Sequence, residues 1–112
     1  MKRKFAVPST NGLLDPHFGH CRSFTLIDTE NTSIVSVDHI DAPPHQPGLL
    51  PAWIAEKGVS DVIAGGMGQR AIQLFNTHSV NVFVGAPVQS PEQLVYDFLN
   101  GRVSFSANYC DH

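Results

Sequence analysis

The sequence predicts one α/β domain built on a mixed sheet, with the element order β-β-β-α-β-α-β-α. Three observations support this class. Apolar and polar residues alternate through much of the first 41 residues, as they do in strands. Beyond residue 48, segments with helical spacing alternate with short apolar runs, which is typical of strands that pair in parallel through helical crossovers. The length of 112 residues suits a single domain, 1–112.

Three strands are predicted in the first part of the chain. The first is the apolar segment KFAVPS, which ends at the turn-rich TNG. The second and third are SFTLID and SIVSVDHI, and the segment TENTS between them is typical of a hairpin connection. The proline-rich loop DAPPHQPG follows and carries His45.

Two helices and two more strands follow this loop. The first helix covers residues 49–57 and is ended by Gly58. The strand VSDVIA, the turn GGMG and a second helix come next. The apolar face of that second helix is predicted to contain Met67, Ala71, Ile72 and Phe75. The segment VNVFVGAP then forms the last predicted strand.

The third helix has the clearest start signal in the sequence. Ser90 is its N-cap, Pro91 its first residue, and Gln93 completes a capping box. Gly101 follows its end. The remaining residues, from about 103 to 112, lack clear periodicity and are expected to form a flexible tail.

Composition excludes several classes of function. Charged residues are 15% of the chain, below the ~25% of typical domains, and the net charge is -3. Only Lys2, Arg3 and Lys4 cluster, which disfavours a nucleic-acid surface. No apolar run is long enough for a membrane span, and the segment MKRKFAVP is not a secretory signal. We therefore expect a cytoplasmic protein with free thiols.

Soft metal ligands are concentrated in the segment DPHFGHCR. It contains His17, His20 and Cys21, and His45 could approach from the proline-rich loop. Imidazole and thiolate favour zinc, copper or iron-sulfur species. The alternative is that these are solvated loop residues, because H-x-x-H-C is not a closed zinc pattern.

The C-terminal tail offers further candidate ligands. Cys110 and His112 form a C-x-H pair. If the tail folds over the site, it adds a second thiol, whereas chain ends are usually mobile.

The segment GGMGQR has the features of an anion site. It follows a strand and opens a helix, so free backbone amides and the positive end of the helix dipole meet there, with Arg70 in the first turn. It is neither a dinucleotide fingerprint nor a Walker loop, so nucleotide binding is weakly supported. The alternative is that its glycines only permit a tight turn. Met67 could be a core residue or could offer its thioether to a soft metal.

The segments DPHFGHCRSFTLID, HQPGLLPAWIAEKGVSDVIAGGMGQRAIQLF and VNVFVGAP together resemble the dinitrogenase iron-molybdenum cofactor biosynthesis family, whose small domains are similar to NifX, NafY and the C-terminal part of NifB. The resemblance spans Lys4 to Gly101. It implies a ribonuclease-H-like three-layer fold and the carriage of an anionic metal-sulfur cluster. The cluster would be a molybdenum-iron sulfide, or a molybdenum-copper sulfide as in the similar orange protein of sulfate-reducing anaerobes.

The resemblance also assigns residues. Its HFG motif corresponds to His17 and Gly19, its loop histidine to His45, and its glycine turn to residues 65–68. With the neighbouring donors, the expected cofactor-binding set is His17, Gly19, His20, Cys21, Arg22, His45, Gly65, Gly66, Met67, Gly68 and Arg70. The expected metal ligands are His17, His20, Cys21 and His45, with Cys110 and His112 as further candidates.

The resulting hypothesis is a non-catalytic protein that stores or delivers a metal-sulfur cluster, with cluster donor or acceptor proteins as partners and no nucleic acid or membrane. The first alternative is a metal-dependent hydrolase or nuclease, which needs converging carboxylates, and Asp28 has no obvious partners. Cys21 acting as a nucleophile with His20 or His45 is disfavoured by their spacing. The second alternative is a protein interaction module, which would expose an apolar patch.

Overall fold

The domain consists of a seven-stranded sheet and three helices, seen in a computed structural model that describes residues 1–44 and 48–108 apart from the side chains of His20 and Asn108. The strands are β1 (Lys2–Thr10), β2 (Leu13–Leu14), β3 (Ser23–Glu30), β4 (Ser33–Asp41), β5 (Asp61–Ala64), β6 (Asn81–Val84) and β7 (Ser106–Asn108). The helices are α1 (Leu49–Glu56), α2 (Gln69–Thr77) and α3 (Pro91–Leu99), and a 3-10 turn covers Phe18–His20.

The sheet is mixed, as the sequence predicts. Its strand order is β4-β3-β1-β5-β6-β7, with β2 paired to β1. The pairs β1-β5 and β5-β6 are parallel, and all the others are antiparallel. The parallel pairing of the later strands is therefore confirmed, and it follows from their connection through helices.

The two faces of the sheet bury separate apolar clusters. On one face, Ile54 of α1 and Phe75 of α2 pack against strand residues such as Leu26. On the other face, Leu94 of α3 packs against residues such as Ile27. Successive residues of β3 thus point to opposite faces, as alternation in a strand requires. No helix among the described residues is long and apolar enough to cross a membrane.

The observed element order departs from the predicted one by two extra strands. β2 forms because the turn at Asn11 and Gly12, both at positive φ, folds the chain back onto β1. With two residues, β2 is too short to produce a periodic signal. β7 lies in the segment expected to be a tail, and it pairs antiparallel with β6. Its three residues are strand because of this pairing and not because of local periodicity.

The helix boundaries follow the predicted signals at most ends. Ser90 caps α3, where its Oγ accepts a hydrogen bond of 3.3 Å from the Gln93 amide. The capping box predicted for Gln93 is only half formed, because the Gln93 side chain donates to Asp97 at 2.8 Å. Gly58 and Gly101 follow α1 and α3 at positive φ. The prediction for Met67 was wrong, because α2 begins at Gln69 and Met67 lies in the loop before it.

A partly buried ion pair joins β1 to β5 at the end of the sheet where both strands begin. Arg3 Nε and Nη2 donate to the Asp61 carboxylate at 3.0 and 2.8 Å. Ser60 Oγ and Asn81 Nδ2 donate to the same carboxylate at 2.7 and 3.1 Å. Asp61 is 1% exposed, and the Arg3 guanidinium lies 5.4 Å from the ring centre of Phe98 on α3. The network therefore connects three strands and one helix.

Replacing this carboxylate should destabilise the fold. We expect Asp61→Ala to lower the free energy of unfolding by about 3 kcal/mol, because the Arg3 guanidinium loses its partner while it stays largely covered. Urea denaturation followed by circular dichroism measures this change. Gln73→Ala, at an exposed site in the middle of α2, is the control and should change stability by less than about 0.5 kcal/mol. Equal effects of the two substitutions would contradict a special role for the ion pair.

Candidate functional site

An open cleft of about 450 Å³ lies between two of the loops singled out in the sequence. One wall is the segment that contains the HFG motif, and the other is the glycine turn with the start of α2. The lining residues are Pro16, His17, Phe18, Gly19, Gly66, Met67, Gly68 and Ala71. Its volume lies within the range of small-molecule sites. The structure thus brings His17 and Gly66 to the same cleft.

Phe18 anchors the first wall to the core. Its ring makes edge contacts with Phe24 of β3 and Phe75 of α2, at centroid distances of 5.8 and 5.5 Å. Only 8% of Phe18 is exposed. Since α2 is part of the opposite wall, this packing fixes His17 and Gly19 relative to the glycine turn. Phe18 was not among the predicted site residues, although an aromatic residue between two histidines is a usable signal.

Asp15 organises the backbone that leads into the cleft. Its Oδ1 accepts a hydrogen bond of 2.8 Å from the His17 amide, and its Oδ2 accepts one of 2.8 Å from Thr10 Oγ1. Its own amide donates to the Pro8 carbonyl at 2.8 Å. This is an Asx turn that sets the position of His17. The Asp-Pro dipeptide was the sequence signal for it.

Gly65 lies behind the cleft, where three segments of the chain meet. A Cβ on Gly65 would lie 3.4 Å from both Pro16 Cα and Leu14 Cδ2, and 3.5 Å from the Ala86 carbonyl oxygen. Its carbonyl accepts a hydrogen bond of 3.0 Å from the Gly85 amide. Gly65 therefore packs the loops against one another and is not among the residues that line the cleft.

The N-terminus of α2 opens onto the cleft without a side-chain cap. Its N-cap is Gly68, and the Gly68 carbonyl accepts the first helical hydrogen bond, from Ile72. The amides of residues 69–71 precede that bond, so they have no acceptor within the helix. By contrast, Ser90 caps α3. The cleft therefore faces bare N-H groups and the positive end of a helix dipole.

Cys21 follows the 3-10 turn and is partly buried. It packs against the apolar cluster that includes α1 and α2, and its thiol is free. Burial, and then the negative charge of Asp15, raise the pKa of Cys21 to about 11, while a backbone hydrogen bond opposes the shift. The thiol is therefore protonated near neutral pH. Cys21 is not among the residues that line the cleft.

The other predicted site residues have different placements. Arg22 and Arg70 are exposed and are not lining residues of the cleft. His20 ends the 3-10 turn, but its side chain lies outside the described part of the structure. His45, Cys110 and His112 also lie outside the described residues. Within residues 1–44 and 48–108, no three side chains of His, Cys, Asp or Glu form a group that could hold a metal ion.

Known proteins resemble this chain along most of its length. An uncharacterized protein of Methanocaldococcus jannaschii is 30% identical over 105 residues, which cover 89% of this chain and 88% of that protein. The crystal structure of PH0822 matches with a TM-score of 0.84 and 26% identity, covering 92% of this chain and 94% of that one.

A second solved structure shows the same fold at lower identity. The apo form of the orange protein from Desulfovibrio gigas matches with a TM-score of 0.75 and 21% identity, over 95% of this chain and 96% of that one. The model of the family described as dinitrogenase iron-molybdenum cofactor matches residues 1–101. The chain therefore belongs to the dinitrogenase iron-molybdenum cofactor family.

Proposed function

We propose that this protein binds an anionic metal-sulfur cluster as cargo in the cleft between residues 16–19 and 66–68, and stores or delivers it without catalysing a reaction. The observation that carries the proposal is the uncapped N-terminus of α2, which opens onto this cleft. Bare amides and the helix dipole attract negative charge in a protein whose net charge is -3. His17 and Met67 add an imidazole and a thioether, which suit soft metals.

The composition of the cargo is part of the proposal. Membership of the family supports a cluster of molybdenum and iron, and the resemblance seen in the sequence adds a molybdenum-copper sulfide as the other composition. Cluster donor and acceptor proteins are the proposed partners, and the cytoplasm is the proposed location. We also assign the domain to the ribonuclease-H-like folds, which agrees with helices on both faces of a mixed sheet.

Additional ligands come from residues near the cleft or outside the described part of the chain. We propose His20, Cys21 and His45 as ligands beside His17, and Cys110 and His112 as further candidates. Arg22 and Arg70 would contribute positive charge near the rim. Cys21 would have to lose its proton to bind a metal, since its pKa is raised to about 11.

A hydrolase or nuclease receives less support from the arrangement of carboxylates. Asp28 lies opposite Lys4, towards the end of the sheet where β1 begins, and accepts a hydrogen bond of 2.9 Å from Ser36. Asp15 is near the cleft, but both of its oxygens accept hydrogen bonds from the protein. Two-metal hydrolysis needs carboxylates that converge on one point.

The role of the α2 amides in cluster binding can be tested by introducing a carboxylate that accepts their hydrogen bonds in place of the cluster. Gly68 has φ -65° and ψ 150°, and a Cβ there meets no atom within 4 Å, so side chains are tolerated. We expect Gly68→Asp to cap α2, to raise the free energy of unfolding by about 0.5 kcal/mol, and to weaken cluster binding at least about tenfold. Anaerobic titration with tetrathiomolybdate and copper, followed by the charge-transfer absorption band, measures binding.

Gly68→Ala is the matched variant, because it adds a Cβ without an acceptor or a charge. It should bind within about twofold of the original protein, since its helix N-terminus stays bare. Gly68→Asn can cap the helix as Asp does but carries no charge. Comparing the cluster binding of these two variants therefore separates the effect of capping from the effect of charge. Unchanged binding by Gly68→Asp would show that the cargo does not use these amides, and absence of a band in the unaltered protein would contradict the proposed function.

The role of His17 can be tested with His78, which lies at the end of α2 far from the cleft, as the control. We expect His17→Ala to weaken binding at least about tenfold, because a hydrogen bond to a charged group is worth about 1.5–3 kcal/mol. His78→Ala, at the exposed C-cap of α2, should leave binding unchanged. The same titration compares the two variants. Equal affinities would remove His17 from the binding site.

The Cys21 thiol should react slowly until the pH approaches 11. In a Cys110→Ser background, we expect alkylation by iodoacetamide at pH 7.5 to be about 100-fold slower in the folded protein than in urea, because a pKa raised from 9.0 to about 11 lowers the thiolate fraction about 100-fold. Mass spectrometry of timed samples gives the rates. Equal rates in the folded and unfolded protein would contradict the raised pKa.

A further inference from the structure

The outer edge of β4 has no neighbouring strand among the described residues. β4 is the terminal strand of the sheet order, and its pairing with β3 uses only one of its two edges. A bulge interrupts the register between Asp28 and Thr29, but residues 36–41 then pair with β3 without interruption. Alternate residues of such a segment direct their N-H and C=O groups away from β3. They form a template for one more strand.

Over residues 36–41 this edge lacks three of the usual protections against strand addition, and its negative charges, Asp38 and Asp41, would repel only an acidic strand. Of the nine residues of β4, seven are exposed, and Val35 and Val37 are 64% and 36% exposed. Exposed edges are commonly blocked by lysine, by proline or by being very short. Residues 33–41 contain no lysine, arginine or proline. The other edge strand, β7, has only three residues.

The outer strand of the β3-β4 hairpin is acidic. Residues 23–41 carry four negative side chains and no lysine or arginine. Asp28 and Glu30 of β3 lie opposite Lys4 and Lys2 of β1, so their charges are balanced across the sheet. The other two, Asp38 and Asp41, lie on β4 opposite uncharged residues of β3. Asp38 lies opposite Leu26, whose side chain belongs to the cluster under α1 and α2, so Asp38 and Val37 point to opposite faces of the sheet.

We propose that the outer edge of β4, over residues 36–41, accepts an extended basic segment of a partner protein as an added strand. Main-chain hydrogen bonds provide the affinity, as in other cases of strand addition. Lysine or arginine side chains on one face meet Asp38, and β-branched residues on the other face meet Val37. A second copy of this chain fits poorly, because it would place two acidic hairpins side by side.

Binding of a defined peptide tests this proposal. The probe is the synthetic peptide Thr-Lys-Val-Lys-Val-Lys-Thr with blocked ends, added to the ¹⁵N-labelled full chain. We expect amide shifts concentrated in residues 36–41 and a Kd on the order of 1 mM or tighter. The same peptide methylated on every backbone nitrogen keeps its charge but cannot donate main-chain hydrogen bonds, so its binding should be at least about fivefold weaker.

Charge reversal supplies the second test. Asp38→Lys should weaken binding about fivefold, whereas Glu92→Lys, with the same change of charge at an exposed site on α3, should leave it within about twofold. Three results would overturn the proposal: equal binding of the methylated peptide, shifts located away from β4, or no shifts at about 5 mM peptide. Formation of dimers by the protein alone, with β4 protected, would show that a second copy occupies the edge instead.

Discussion

The parallel pairing of β5 with both β1 and β6 decides where every loop of the candidate site lies. Chain segments that follow parallel strands leave the sheet at the same end, so the segments after β1, β5 and β6 must meet. They meet at Gly65, where a Cβ would contact the segment after β1 at 3.4 Å and the segment after β6 at 3.5 Å. The cleft is the space left between the segments after β1 and β5 once Phe18 is packed into the core.

The sequence predicts those parts of the fold that have a local signal. Alternation reveals β3 and β4, helical spacing reveals α1, and the Ser-Pro pair of an N-cap and a first residue fixes the start of α3 to the residue. The parts of the fold that the sequence did not predict have no such local signal. β2 and β7 are strands only because another segment lies beside them, and the start of α2 at Gln69 reflects a turn whose glycine carries no capping side chain.

The same distinction, between residues with a local sequence signal and residues without one, holds for the candidate site. The histidines, the glycines and the methionine could be predicted as cofactor-binding residues from their residue types alone. Of these, His17, Gly66 and Met67 do line one cleft. The residues that hold the cleft together have weaker sequence signals, because their roles depend on contacts with other elements. Asp15 acts through hydrogen bonds to Thr10 and to the backbone, and Phe18 through rings from two other elements. The raised pKa of Cys21 likewise depends on burial, which follows from packing and not from sequence spacing.

The Arg3-Asp61 ion pair lies at the opposite end of the strands from the cleft, and it joins the central strands to α3 there. This network shares no residue with the lining of the cleft. Substitutions in the network and at the cleft-lining residues should therefore change the free energy of unfolding nearly additively, because distant sites contribute to stability nearly independently. Exposed positions of the cleft can in this way be altered without weakening the polar contacts that join β1, β5 and α3.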